Sequence, residues 1–177
     1  IVLSQKWAER KRKILIISPA SLRKQWSQEL QEKFFLPSII LESSSYRGYK
    51  KNGCLNPFEQ EQILISSYNF VKNNVYDVKN IDWDLVIIDE AHRLRNVYKS
   101  NNKIAKTIHY ALEGKHKILL TATPLQNSLM ELYGLVSFID DFTFGDQKSF
   151  RNQFVRLNEE EDAFSDLKSR LQPICKR

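Results

Sequence analysis

Cysteine is nearly absent from this chain of 177 residues: there are two, Cys54 and Cys175. They lie far apart and lack the paired spacing of a zinc ribbon or a redox motif, so both are expected to be reduced thiols in a cytosolic or nuclear protein. Long hydrophobic runs are missing too. The longest, such as Ile14 to Ile17 and Leu85 to Ile88, fall far short of the roughly 20 residues needed to cross a bilayer. The basic stretch Lys11-Arg12-Lys13 leads into one such short run and then a proline, which is not the pattern of a secretory leader. Repeats and low-complexity tracts are also absent, and no segment for export or membrane anchoring is expected.

What is present is a basic, mixed composition: 42% hydrophobic, 27% charged, a formal charge of +6 and a pI near 9.3. The length suits one domain. The charge favours a polyanionic partner, although it speaks to association and solubility and not to fold.

Short β-branched runs alternate with helical patterns. The runs are Ile14 to Ile17, Ser38 to Leu41, Ile63 to Ser66, Asp84 to Ile88 and Lys117 to Thr121. Uninterrupted apolar runs of this length mark strands buried on both faces of a parallel sheet, so the expected class is α/β with helices on both faces. Between them, Leu22, Trp26, Leu30 and Phe34 or Phe35 recur at helical spacing, with Ser21 as candidate cap and Pro37 near the end. A second helix is expected over Lys103 to Leu112, closed by Gly114, and a third over Ser128 to Ile139. Residues 43 to 58, rich in Ser, Gly, Asn, Lys and Tyr, read as a long exposed loop. The chain begins and ends within helical periodicity, at Ile1 to Ala8 and at Leu167, Leu171 and Ile174, and reads as a fragment.

Three constellations carry chemistry. Leu85 to Ile88 delivers Asp89-Glu90-Ala91-His92 at a strand end. Ligands bind there in open α/β sheets; in a P-loop NTPase the first acid, here Asp89, holds Mg²⁺, and the neighbouring glutamate, here Glu90, can position and deprotonate an attacking water. Two adjacent acids can also be solvated turn residues, but the hydrophobic run before them and Ala-His after them favour the chemical role. His92 is open to a structural hydrogen-bonding role; it has no partner at metal spacing, and zinc is not expected. Leu119 to Asn127 is a second buried strand, ending in Thr121, Ala122 and Thr123 and followed by the amides of Gln126 and Asn127. The hydroxyls there are placed to bridge the acidic pair to whatever lies across the crevice. The third, Ile14 to Ile17 followed by Ser18-Pro19-Ala20-Ser21 and Arg23, exposes amides and hydroxyls at a helix start, a place for a phosphate. Ser66-Ser67-Tyr68 has the same shape.

In this order the segments resemble the Swi/Snf branch of superfamily-two helicases, which includes the chromatin remodellers and the bacterial RapA-like proteins. Ser18 to Leu22 with Gln25-Trp26 is similar to motif Ia, Asp89 to Asn96 to motif II, and Leu120 to Asn127 with Glu131-Leu132-Tyr133 to motif III, with Ala122 where many relatives have glycine. The resemblance implies a three-layer RecA-like lobe that binds ATP and Mg²⁺, with Asp89, Glu90 and His92 at the nucleotide. It implies a coupling role for Thr121, Ala122, Thr123, Gln126 and Asn127, and duplex DNA as partner along Ser18, Pro19, Ser21, Arg23, Ser66, Ser67 and Tyr68. Such motors also need Gly-x-x-x-x-Gly-Lys-Ser/Thr to cradle the triphosphate, yet none of Gly48, Gly53, Gly114, Gly134 and Gly145 begins that pattern. The expectation is that residues 1–177 form one first lobe, with the phosphate loop upstream and a second lobe downstream. The parent would be an ATPase and the piece alone inactive, working in a bacterial cytoplasm near the nucleoid or in a nucleus. The competing expectations are an RNA helicase or restriction-type motor subunit, against which Thr123 to Asn127 argues, and a degenerate lobe that only binds nucleic acid or protein.

Overall fold

Every expected apolar run is a strand in the computed structural model, which describes residues 1–126, 128–155 and 161–176. The elements run α1 (Val2–Ala8), β1 (Ile14–Ser18), α2 (Arg23–Phe34), β2 (Ser38–Ile40), α3 (Ser43–Lys51), β3 (Ile63–Ser67), α4 (Tyr68–Asn73), α5 (Val75–Lys79), β4 (Leu85–Asp89), a 3₁₀ turn (Ala91–Leu94), α6 (Lys103–Ala111), β5 (Lys117–Leu120), α7 (Leu129–Ile139), α8 (Gln147–Phe150), a π-helical turn (Arg151–Val155) and α9 (Glu161–Leu171). The sheet order is β2-β3-β1-β4-β5, and every pairing is parallel.

Because side chains alternate along a strand, the sheet sorts its apolar residues into two cores. Ile14, Ile16, Ile63, Ile65, Leu85 and Ile87 face one side, with Leu30 and the half-buried Leu3, Trp7 and Trp26 of α1 and α2. Leu15, Ile17, Leu64, Val86 and Ile88 face the other, under Val71, Val78, Ala105, Ile108, Leu135 and Phe138. A smaller cluster, including Tyr133, Phe144, Phe150 and Phe154, joins α7 to the segments after it. The α/β expectation holds, with helices on both faces.

Two local readings need correction. Ser21 does not cap α2: Leu22 is the preceding residue and no side-chain cap bond forms. The turn instead closes through the backbone, Leu22 N–H donating to the Pro19 carbonyl at 3.0 Å. At the other end Phe35 adopts the left-handed conformation, φ 52, and Leu36 N–H returns to the Leu30 carbonyl before Pro37.

Residues 43 to 58 are not one exposed loop. Ser43–Lys51 is helical, started by a capping box in which Glu42 accepts from the backbone of Ser45 and the Ser45 hydroxyl accepts from Glu42 N–H. Its Tyr46 and Tyr49 pack against the core, and Phe58 is fully buried, with ring centroids 6.3 Å from Tyr46, 5.9 Å from Phe70 and 6.5 Å from Trp83. The Tyr46 hydroxyl donates to Asp77 and so ties α3 to α5.

That bond carries a pH signature. Burial, helped by the Asp77 carboxylate, pushes the Tyr46 phenol from its ordinary 10.0 up to about 12. A raised folded pKa means stability that is whole below the ordinary tyrosine range and is lost as pH rises through the folded value. In an alkaline titration Tyr46→Phe should therefore lose one late-ionising group from the tyrosinate absorbance, and its stability near pH 7 should fall by about 1 kcal/mol. If the phenol lost from the curve is one that ionises in the ordinary range, and stability is unchanged, the phenol does not hold the helix.

Candidate functional site

The acid pair sits where β4, flanked by β1 and β5, gives out at its carboxyl end. Leu85, Ile87 and Asp89 alternate onto one face of the sheet, so the Asp89 side chain leaves on the side covered by α2. There its Oδ2 accepts the Trp26 indole N–H at 2.8 Å, while Oδ1 accepts Glu90 N–H at 2.9 Å. The Asp89 carbonyl accepts the Tyr68 hydroxyl at 2.5 Å.

Glu90 then takes the left-handed conformation, φ 54 and ψ 45. A non-glycine residue there is uncommon and costs on the order of 1 kcal/mol or more, which the surrounding structure must hold. The reversal swings the chain from strand into the 3₁₀ turn, leaving the Glu90 carboxylate 3.0 Å from His92 Nδ1.

Asp89 and Glu90 line a cleft of about 260 Å³ with Leu22, Gln25, Trp26 and Glu29. Among the described residues no lysine or arginine pairs with either acid: Asp89 meets neutral donors, and Glu90 meets His92. Carboxylates at a strand exit that meet no lysine or arginine among the described residues suit a hard cation. Mg²⁺ is commonly held by one or two carboxylates plus waters and substrate phosphates. No described cluster of three or more His, Cys, Asp or Glu residues stands ready as a complete protein cage.

The strand exits assigned to nucleic acid are rearranged relative to expectation. Ser18, Pro19, Ser66 and Tyr68 are buried, so their side chains do not reach a ligand from this surface. The Ser18 hydroxyl turns to the Pro19 carbonyl, Ser66 donates to the Leu41 carbonyl at 3.0 Å, and Tyr68 is spent on Asp89. The Ser67 hydroxyl accepts from Phe70 N–H and caps α4. Arg23 pairs with Glu42 at 3.0 Å, which leaves Ser21 exposed on that exit. Between the exits lies a polar groove of about 420 Å³ whose lining includes Arg23, Ser67 and three residues the sequence did not single out: Arg47, Asn69 and Asn73.

The segment after β5 also differs. The strand stops at Leu120, and the Thr121 hydroxyl accepts from Thr123 N–H at 3.2 Å. Among the described residues neither threonine bonds to the acid pair. Ala122 and Thr123 are exposed, and Asn127 lies outside the described residues. The physical link from this segment to the acids' own loop is made by others: Arg95 Nη2 donates to Gln126 Oε1 at 2.8 Å, Arg95 Nε lies 3.5 Å from Glu131 Oε1, and Gln126 N–H donates to Glu131 Oε2 at 3.2 Å. Glu131 is 5% exposed, an acid on an otherwise apolar helix. That anomaly, set against Arg95, was the available signal.

The SNF2-related domain model matches residues 2–177. The chain belongs to the SNF2-related domain family. This SNF2-related domain is 36% identical over 168 residues to the ATP-dependent helicase YqhH of Bacillus subtilis, covering 94% of the chain and 28% of that protein. It is 30% identical over 159 residues to the TATA-binding protein-associated factor mot1 of Schizosaccharomyces pombe, covering 88% of the chain and 8% of the relative. Its fold is that of the Sulfolobus solfataricus SWI2/SNF2 ATPase core solved in complex with dsDNA, with a TM-score of 0.79 and 24% identity over 97% of this chain and 35% of that one. The five-stranded parallel lobe is therefore RecA-like, as the resemblance implied, and it spans about a quarter or less of the curated relatives' length.

Proposed function

We propose that this SNF2-related domain is the first motor lobe of a longer ATPase that moves along double-stranded DNA. The observation that carries the reading is the pair Asp89-Glu90, set at the carboxyl end of a buried strand without a lysine or arginine partner among the described residues. In this reading Asp89 holds Mg²⁺, which when bound supplies charge neutralisation at the phosphate oxygens. Glu90, oriented by His92, positions the attacking water and takes its proton. A triphosphate cradle upstream of Ile1 and a second lobe after Arg177 complete the site, and the duplex lies along the strand exits. That the S. solfataricus relative was solved with dsDNA supports the choice of duplex, and the family's helicase relatives support the use of ATP. Thr121 and Thr123 act in coupling, through the turn that Gln126 ties to Arg95. A bacterial cytoplasm or a nucleus, wherever DNA is held, is the setting this implies.

Measuring ATP turnover of the full-length protein with and without duplex DNA tests the reading. Turnover should rise with duplex DNA and not with RNA, and residues 1–177 alone should stay at background. Residues 1–177 should nevertheless bind duplex DNA weakly and without sequence preference. If about three phosphates are neutralised, log K should fall against log salt with a slope of roughly −2.7. Stimulation by RNA alone, or binding that ignores salt, would overturn the assignment.

A further inference from the structure

Asp89 is fastened from two directions by side chains that begin at the two strand exits. Trp26 lies in the first turn of α2, which follows the exit of β1; Tyr68 opens α4, directly after β3. The indole donates to the carboxylate at 2.8 Å and the phenol to the carbonyl at 2.5 Å. Indole nitrogen is a donor only, and the acceptor it meets here is the Asp89 carboxylate.

Packing alone does not require these pairings. Trp26 is half buried and contributes its ring to the α2 core, an arrangement that phenylalanine would serve without placing a donor on an acid. The two carboxylate oxygens of Asp89 each have two lone pairs, and one on each is taken by a protein N–H. The bonds fix the rotamer and leave lone pairs free for a metal, in the manner of outer-shell groups that orient a metal-binding side chain.

We propose that Trp26 and Tyr68 are positioning residues that set the place of Asp89 and transmit the position of the two strand exits to it, so that a backbone phosphate at the exits and Mg²⁺ at the acid influence each other's binding. The inference rests on the functional reading above. Thermodynamic linkage makes the effect reciprocal: if duplex DNA changes the affinity for Mg²⁺–nucleotide by some factor, nucleotide changes that for DNA by the same factor. This link runs through side chains on the elements themselves and is separate from the coupling assigned to Thr121 and Thr123 after β5.

The test uses the full-length protein carrying Glu90→Gln, with binding of a fluorescent ATP analogue followed as Mg²⁺ is added, with and without duplex DNA. Trp26→Phe keeps the ring and removes the donor, and it should raise the Mg²⁺ concentration at half-saturation about tenfold, the loss expected for a hydrogen bond to a charged group. Tyr68→Phe should raise it a few-fold. Both should bring the factor by which duplex DNA shifts that midpoint toward one, while nucleotide binding without Mg²⁺ stays as in the parent. A Mg²⁺-induced change in tryptophan emission is expected in the parent; it should diminish in Trp26→Phe and persist in Trp7→Phe. An unchanged midpoint and DNA factor would overturn the positioning role alone. Loss of Mg²⁺-free nucleotide binding as well would show that Trp26 serves packing, and that too overturns it. A parent with no Mg²⁺-dependent nucleotide binding would bring down the functional reading and this inference with it.

Discussion

Glu90→Gln in the full-length protein should bind Mg²⁺–nucleotide about as well as the parent and hydrolyse it on the order of 10² to 10⁴ times more slowly, the range that a positioned general base supplies. The amide keeps the length of the side chain and its approach to His92, 3.0 Å away in the parent, but it cannot accept the proton of the attacking water. Asp89→Ala should fail differently. It removes the carboxylate that meets Mg²⁺, so nucleotide binding itself should weaken and lose its dependence on the metal. Rapid-quench hydrolysis and equilibrium nucleotide binding, measured on the same two variants, separate these outcomes. Normal turnover in Glu90→Gln would remove the residue from catalysis and favour a lobe that only binds.

Gly134→Ala should be the most damaging single methyl group in the region. A Cβ on Gly134 would stand 2.0 Å from the Arg95 carbonyl oxygen and 2.8 Å from its carbonyl carbon. The obstacle is backbone, not the tip of a flexible side chain, so α7 and the loop after the acids must move apart. Overpacking commonly costs about 1 to 3 kcal/mol and sometimes more; with main chain on the far side, a loss of about 3 kcal/mol is expected. The displaced loop carries Arg95, whose Nη1 is already buried with no described partner, and its contacts to Gln126 and Glu131 should loosen together. Denaturant unfolding of Gly134→Ala, compared with Gly48→Ala as control, measures the effect. Gly48 has open space where a Cβ would go. Equal stabilities would mean that the close approach does not constrain the site.

The sheet was legible because strands covered on both faces carry unbroken apolar runs, and such runs resist confusion with amphipathic helices. Their crossover order was not, since nothing in Ser38 to Leu41 says that it lies outside Ile63 to Ser66. The helix from Ser43 escaped notice because its apolar contribution is two tyrosines and its cap is a glutamate, which ranks poorly as a cap by composition alone. Serines at strand ends misled for a different reason. A hydroxyl that turns inward to a neighbouring carbonyl, as Ser66 does to Leu41, is spelled the same as one facing water. The acids stand at the end of the strand expected to deliver them, yet their fastening was hidden. Trp26 looked like one more apolar position on α2, and only the alternation that puts Asp89 on the α2 face turns its N–H into a neighbour. Glu131 is the case where sequence offered a usable clue: a lone acid among Leu129, Met130, Leu132, Tyr133, Leu135 and Val136 must be buried with a partner or be misplaced.

The strand at the middle of the sheet is the first of the five described strands to be synthesised. Leu15 must wait for Leu64, and Ile14 for Leu85, before either has a strand neighbour, and no hairpin among the described residues holds β1 in the meantime. Such long-range parallel pairing delays folding, because loop closure precedes any reward from contact. On the ribosome, Ile14 to Ile17 is therefore an apolar segment without a partner among the described strands until β3, and then β4, has emerged. A nascent chain stalled before Ile63 should bind a general chaperone, and one stalled well past Asp89 should release it.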